Sequence, residues 1–141
     1  MTSNVLIVDD ELSDRFIIKR MLKRSDLDVE ISECADGVEA LSYLGNAADS
    51  GCSRPQLILL DLNMPRIGGL EFLQRYENLI ENNPSVRCPV LMMLTSASRE
   101  DENACLAFES VKGIVSKEPE HPGVFVDAVA RELSPEVNSK A

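Results

Sequence analysis

Three stretches of strand length carry unbroken apolar residues: Val5-Leu6-Ile7-Val8, Leu57-Ile58-Leu59-Leu60 and Val90-Leu91-Met92-Met93-Leu94. A strand with one wet face alternates apolar and polar positions. Unbroken runs therefore predict strands buried on both faces, as in the centre of a parallel sheet. Two weaker runs, Val29-Glu30-Ile31 and Gly113-Ile114-Val115, predict edge strands. Between the runs the apolar positions recur at helical spacing. Residues 12–24 place Ile17, Ile18, Met21 and Leu22 on one face, and Arg15, Lys19 and Lys23 form a solvated stripe on another. Asp36-Gly37-Val38-Glu39 reads as a capping-box-like start, continued by Leu41 and Leu44. Leu70, Leu73, Tyr76 and Ile80 mark a third helix. Ser98 with Asp101 opens a fourth, and Val124 to Leu133 supplies a fifth.

Strand and helix thus alternate five times, which predicts an α/β fold with a doubly wound, five-stranded parallel sheet and helices on both faces. Two connections, Asn46 to Pro55 and Glu81 to Pro89, read as loops longer than such a scaffold needs. One domain over residues 4–133 is expected, followed by a frayed polar tail over residues 134–141. No internal repeat and no segment large enough for an output domain is evident.

The chain has 141 residues, 44% of them hydrophobic and 27% charged, the balance of an ordinary globular domain. Fourteen basic against 24 acidic side chains give a net charge of −10. Such a surface repels nucleic-acid phosphates and anionic membranes and favours basic partners and metal cations. Cys34, Cys52, Cys88 and Cys105 lie 18, 36 and 17 positions apart, too far for a zinc knuckle or a redox dithiol. They are expected to be small buried or half-buried thiols. No signal peptide is evident, and no apolar run approaches the roughly 18 residues of a membrane helix, so a soluble cytoplasmic protein is expected.

In an open parallel sheet the ligand site lies beyond the carboxyl ends of the strands. The residues that end the runs here are Asp9-Asp10-Glu11, Asp61, Thr95-Ser96 and Ser116-Lys117. Asp9, Asp10, Asp61, Thr95 and Lys117 are therefore expected on one rim. Two carboxylates 4 Å apart repel by about 4 kcal/mol at an effective dielectric near 20. Either a raised pKa or a cation must offset that repulsion. Oxygen-only ligands suit Mg²⁺ rather than zinc. The plainer reading makes these residues helix caps and rim charges, with Lys117 paired to one of the acids. Five converging strand ends with three acids among them favour a functional cluster.

Other rim chemistries fail on the residues. A dinucleotide site needs a glycine-rich turn after the first strand, and Asp-Asp-Glu-Leu repels phosphate instead. No Walker loop is present. A serine hydrolase needs a histidine base, and the single histidine, His121, sits in a Glu-His-Pro turn expected at the surface. What remains is phosphoryl chemistry on a carboxylate, in which an aspartate attacks phosphorus to form an acyl phosphate.

At these residues the chain resembles the receiver domains of two-component response regulators. The resemblance spans residues 4–133 and rests on Val5 to Asp10, on Asp61-Leu62-Asn63-Met64-Pro65-Arg66-Ile67-Gly68-Gly69, on Leu94-Thr95-Ser96-Ala97 and on Gly113 to Lys117. It implies a flavodoxin-like fold with strand order 2-1-3-4-5, an order the family is known for. It implies Asp61 as the phosphoacceptor and Mg²⁺ held by Asp10, Asp61 and the Asn63 carbonyl, with Asp9 acting through water. Lys117 would contact the phosphoryl group and Thr95 would swing toward it. The implied donor is a phosphohistidine on a sensor histidine kinase, and the chain is similar to stand-alone receivers paired with bacterial phytochrome kinases. Such a protein is a phosphoacceptor that assists its own phosphorylation and dephosphorylation, not an enzyme with a separate substrate. Its downstream protein partner would read the face made by the fourth helix, fifth strand and fifth helix, through which family members often form homodimers.

Three positions depart from the family pattern. Glu118 stands between Lys117 and Pro119, where the family usually has proline directly after the lysine. A cis bond before a non-proline residue costs roughly 3–4 kcal/mol, against about 0.5–1 before proline, so a trans Lys117–Glu118 bond or a cis bond one residue later is expected. Ile114 replaces the family's switch aromatic. Gly68 replaces the usual acid before Gly69, at the loss of a helix-cap contact. The first two departures support an alternative, a pseudo-receiver that binds its partner regardless of phosphorylation. A small-molecule phosphatase with an aspartate nucleophile fits less well, because its Asp-x-Asp pattern would need an acid where Asn63 stands.

Overall fold

A computed structural model describes residues 2–50, 54–64, 66–94, 99–117 and 122–133, with the side chains of 47–50 and 94 excepted. Thr95, Cys52, Glu118, Pro119, His121 and the tail from Ser134 lie outside the described residues, and so do the expectations placed on them.

The strands are β1 (Ser3–Val8), β2 (Val29–Cys34), β3 (Leu57–Asp61), β4 (Val90–Leu94) and β5 (Val111–Ser116). The helices are α1 (Leu12–Arg24), α2 (Gly37–Ser50), α3 (Gly69–Asn82), α4 (Arg99–Leu106) and α5 (Pro122–Leu133). All neighbouring strands pair in parallel in the order β2-β1-β3-β4-β5. Both weak runs are edges, and the three unbroken runs fill the middle.

Successive residues of each central strand point to opposite faces, so two cores form. Leu6, Val8, Ile58, Leu60, Val90 and Met92 meet Ala40 and Leu44 of α2 and Phe72, Leu73, Tyr76 and Ile80 of α3. Val5, Ile7, Leu57, Leu59, Leu91 and Met93 meet Ile18 and Leu22 of α1 and Phe125 and Val129 of α5. Cys34, Cys88 and Cys105 are free and buried, as expected. Ile114 is partly buried and packs against the first of these cores.

Four details correct the sequence reading. The helix α2 runs on to Ser50, through residues read as loop. The stretch Glu81 to Pro89 is partly ordered: α3 extends to Asn82 and a 3-10 turn follows at Pro84–Val86. The capping box is half formed. Asp36 Oδ1 accepts from the Glu39 N–H at 2.9 Å, but Glu39 reaches the N–H of Ala35 at 3.5 Å rather than that of Asp36. The basic stripe on α1 is not merely solvated: Arg15 and Lys19 both pair with Glu33 of β2, and Lys23 donates to the Val29 carbonyl.

Candidate functional site

The register of the sheet brings the strand-end acids together. Val8 lies opposite Leu60 and Asp61 opposite Met93, so Asp9 and Asp61 sit at adjacent strand ends. Leu94 lies opposite Ser116, which puts Lys117 just past the same edge of the sheet. Asp9, Asp61 and Lys117 are all buried, and Asp10 is partly so. Oxygens of Asp9, Asp10 and Asp61 lie within 4.8 Å of one another, a set that could hold a metal ion.

Hydrogen bonds fix most of this arrangement. Asp9 Oδ1 accepts from the Glu11 N–H at 3.0 Å, and its Oδ2 accepts from Lys117 Nζ at 2.9 Å. Arg15 anchors the same turn by donating to the Asp9 carbonyl at 2.6 Å. Asp61 Oδ1 accepts from the Asn63 N–H at 3.4 Å and lies 3.5 Å from Lys117 Nζ. The lysine bonds a further acid, Asp14 Oδ2, at 2.8 Å. Sequence reasoning missed Asp14. The sequence carried no signal for it, because an acid in the first turn of α1 reads as an ordinary partner of the helix dipole.

Glycine completes the frame. A Cβ at Gly69 would lie 2.9 Å from Leu62 Cα and 3.0 Å from the Asp61 carbonyl oxygen. The start of α3 therefore packs directly on the backbone that carries Asp61. Gly68 is the N-cap of α3 and, as a glycine, has no side chain to cap it. Arg66, in the loop between, has a left-handed backbone (φ 64°) and an ion pair with Asp36.

The electrostatics follow from burial. Desolvation pushes Asp61 up from 3.8 to about 6; Lys117 opposes the shift, and Asp9 and Asp10 add to it. Burial works to lower the Lys117 pKa, but hydrogen bonds to Asp14 and Asp9 outweigh it and hold the ammonium above its ordinary range. A carboxyl group with a raised pKa binds its proton more tightly in the folded chain. Its contribution thus favours folding most below about pH 4, declines between about 4 and 6, and is constant above that. Two pH units correspond to about 3 kcal/mol. Asp61→Asn removes the buried charge but also one partner of Lys117. We expect it to stabilise the fold by about 1–2 kcal/mol at pH 7.5, with the gain gone by pH 4. Urea unfolding at both pH values in chelator checks this, and a destabilised variant at pH 7.5 would contradict it.

The chemistry such a site supports is narrow. A buried carboxylate with a raised pKa stands at a strand end beside an ammonium, in a set of oxygen donors that suits a hard divalent cation. Of the residues expected on the rim, Asp9, Asp10, Asp61 and Lys117 are brought together. Asn63 adjoins them through its N–H. No described helix is long and apolar enough to cross a membrane.

Comparison with known proteins agrees with this geometry. Residues 5–129 match the family model described as the response regulator receiver domain. Response regulator Rcp1 of Synechocystis is 35% identical over 99 residues, covering 69% of this chain and 65% of that protein. The two-component response regulator ARR15 of Arabidopsis thaliana is 37% identical over 95 residues, covering 64% of this chain and 44% of its own length. The chain thus spans less than two thirds of these relatives. Among solved structures, the Mn²⁺-bound form of Rcp1 superposes with TM-score 0.72 at 30% identity, covering 92% of this chain and 91% of that one. The phosphorylated cyanobacterial phytochrome response regulator RcpA superposes with TM-score 0.73 at 27% identity, covering 100% and 97%.

Proposed function

Because this chain belongs to the response regulator receiver family, we propose that it is a phosphoacceptor switch in which a histidine kinase phosphorylates Asp61. The observation that carries the proposal is the buried Asp61 carboxylate, held 3.5 Å from Lys117 Nζ in one oxygen cluster with Asp9 and Asp10. A carboxylate oxygen of Asp61 attacks the phosphorus of a phosphohistidine. The new O–P bond forms as the N–P bond breaks, and the imidazole leaves with the bonding pair. Burial helps by keeping the nucleophile poorly hydrated, and Lys117 supplies a positive charge for the phosphoryl oxygens. Asp9, Asp10 and Asp61, with the Asn63 carbonyl, would hold Mg²⁺. When bound, that ion would screen the charge between carboxylate and phosphoryl group.

Thr95 follows β4 directly, and its hydroxyl is the proposed reader of the occupied site. The dianionic group then biases α4, β5 and α5 between two packings that a partner distinguishes. Leu106 of α4 and Val124 of α5 are exposed apolar residues suited to such a partner. The similarity to RcpA, a cyanobacterial phytochrome response regulator, supports a phytochrome-type kinase as the donor.

Incubation with Mg²⁺ and a small acyl phosphate, followed by intact-mass measurement, tests the proposal. We expect one phosphoryl adduct in the natural chain, none in Asp61→Asn and none in chelator. No adduct in the natural chain, or an equal one in Asp61→Asn, would overturn it. The plain packing of Ile114, with no ring to rotate, favours the second reading, a phosphorylation-independent binding module. That reading requires a partner affinity unmoved by beryllofluoride.

A further inference from the structure

We propose that Asp14 is a positioning residue of the site: it draws the Lys117 ammonium toward α1 and competes for it with the anion carried by Asp61. The inference rests on the phosphoacceptor reading above. An ammonium has three N–H donors, and among the described residues Lys117 donates hydrogen bonds to Asp14 at 2.8 Å and Asp9 at 2.9 Å. Of the three described carboxylates around it, that of Asp61 is the most distant, at 3.5 Å. In the resting protein the lysine is therefore engaged away from the group it must serve.

The two competing acids differ in what they can give up. The Asp9 side chain is 0% exposed and belongs to the oxygen set that could hold a cation. Asp14 lies outside that set, and its side chain is 30% exposed. Released from Lys117, Asp14 can turn to water at little desolvation cost, whereas Asp9 cannot. Asp14 is thus the contact that yields when a phosphoryl group arrives. While it holds, it opposes that arrival twice, by occupying a donor and by adding negative charge beside the anion.

Asp14→Asn keeps the shape and removes the charge, so it is expected to strengthen anion binding and weaken cation binding. Calorimetric titration with beryllofluoride at saturating Mg²⁺, and separately with Mg²⁺ alone, reads both. We expect about tenfold tighter beryllofluoride and about threefold weaker Mg²⁺, the scale of one partly screened charge interaction. Asp14→Glu, which keeps the charge, is expected within about twofold of the natural chain for both. Glu11→Gln removes a nearby exposed charge that makes no side-chain cap bond, and is expected to move either affinity by less than about twofold.

A merely structural role would weaken both affinities together. That result, or changes no larger than those of Glu11→Gln, would overturn the inference and leave the phosphoacceptor reading standing. Failure of the natural chain to bind beryllofluoride would overturn both.

Discussion

Lys117→Ala is expected to lower the stability of the metal-free protein by about 3–5 kcal/mol at neutral pH, the usual result of removing one partner from a buried charge pair. The lysine side chain is only 6% exposed, and it lies within 3.5 Å of carboxylates from Asp9, Asp14 and Asp61. Without it only Arg15, bonded to the Asp9 carbonyl, and the N–H groups of Glu11 and Asn63 oppose the repulsion among the acids. Asp61, already raised to about 6 with the lysine present, would move higher still. The sign of the pH dependence follows. The deficit is largest above that raised value and shrinks as acid protonates the cluster. It shrinks equally when Mg²⁺ takes over the neutralisation. Urea unfolding at pH 7.5 and pH 5, with chelator and with Mg²⁺, checks each part. A variant as stable as the natural chain at pH 7.5 in chelator would refute the view that one ammonium holds this cluster together.

Gly69→Ala is expected to cost about 3 kcal/mol, the upper end of the range for overpacking. The reason is the identity of the atoms in the way. The added Cβ would meet Leu62 Cα, the Asp61 carbonyl oxygen and the Leu62 carbonyl oxygen, all of them backbone, at 2.9, 3.0 and 3.2 Å. No side-chain rotamer can relieve that contact, so either α3 or the end of β3 must shift. The end of β3 carries the nucleophile, so the damage extends to the site. We expect phosphoryl uptake by Gly69→Ala to fall along with its stability. Gly68→Ala is the internal control, since among the described residues its Cβ would meet the Leu62 carbonyl oxygen alone, at 3.5 Å, an ordinary contact. Equal stability of the two variants would contradict the argument.

The sheet was legible because the burial of a strand on both faces leaves an unmistakable trace. Leu57 to Leu60 has no polar position, and all four residues are fully buried. Once the strands are known, their ends are known too, which is why Asp9, Asp10, Asp61 and Lys117 could be named together. The strand order came from the family resemblance instead, because periodicity says nothing about which strands are neighbours.

What was missed has physical reasons as well. Asp14 looks like any acid in a first helical turn, where the helix dipole favours negative charge. Only the position of Lys117, 103 residues away, gives it a second role. The end of α2 carries Ala47 and Ala48, good helix formers, but the stretch Asn46 to Ser50 has no large apolar residue, so a pattern search stops short of it. Arg15 and Lys19 of α1 show their spacing but not their partner, Glu33, which a neighbouring strand supplies.

The most direct test of the central claim is to find where the phosphoryl group goes. After reaction with an acyl phosphate and Mg²⁺, borohydride reduces an aspartyl phosphate to homoserine, and peptide sequencing by tandem mass spectrometry locates it. Homoserine is expected at position 61 and nowhere else. Homoserine at position 9, 10 or 14, or none at all, would show that burial and Lys117 do not make Asp61 the nucleophile.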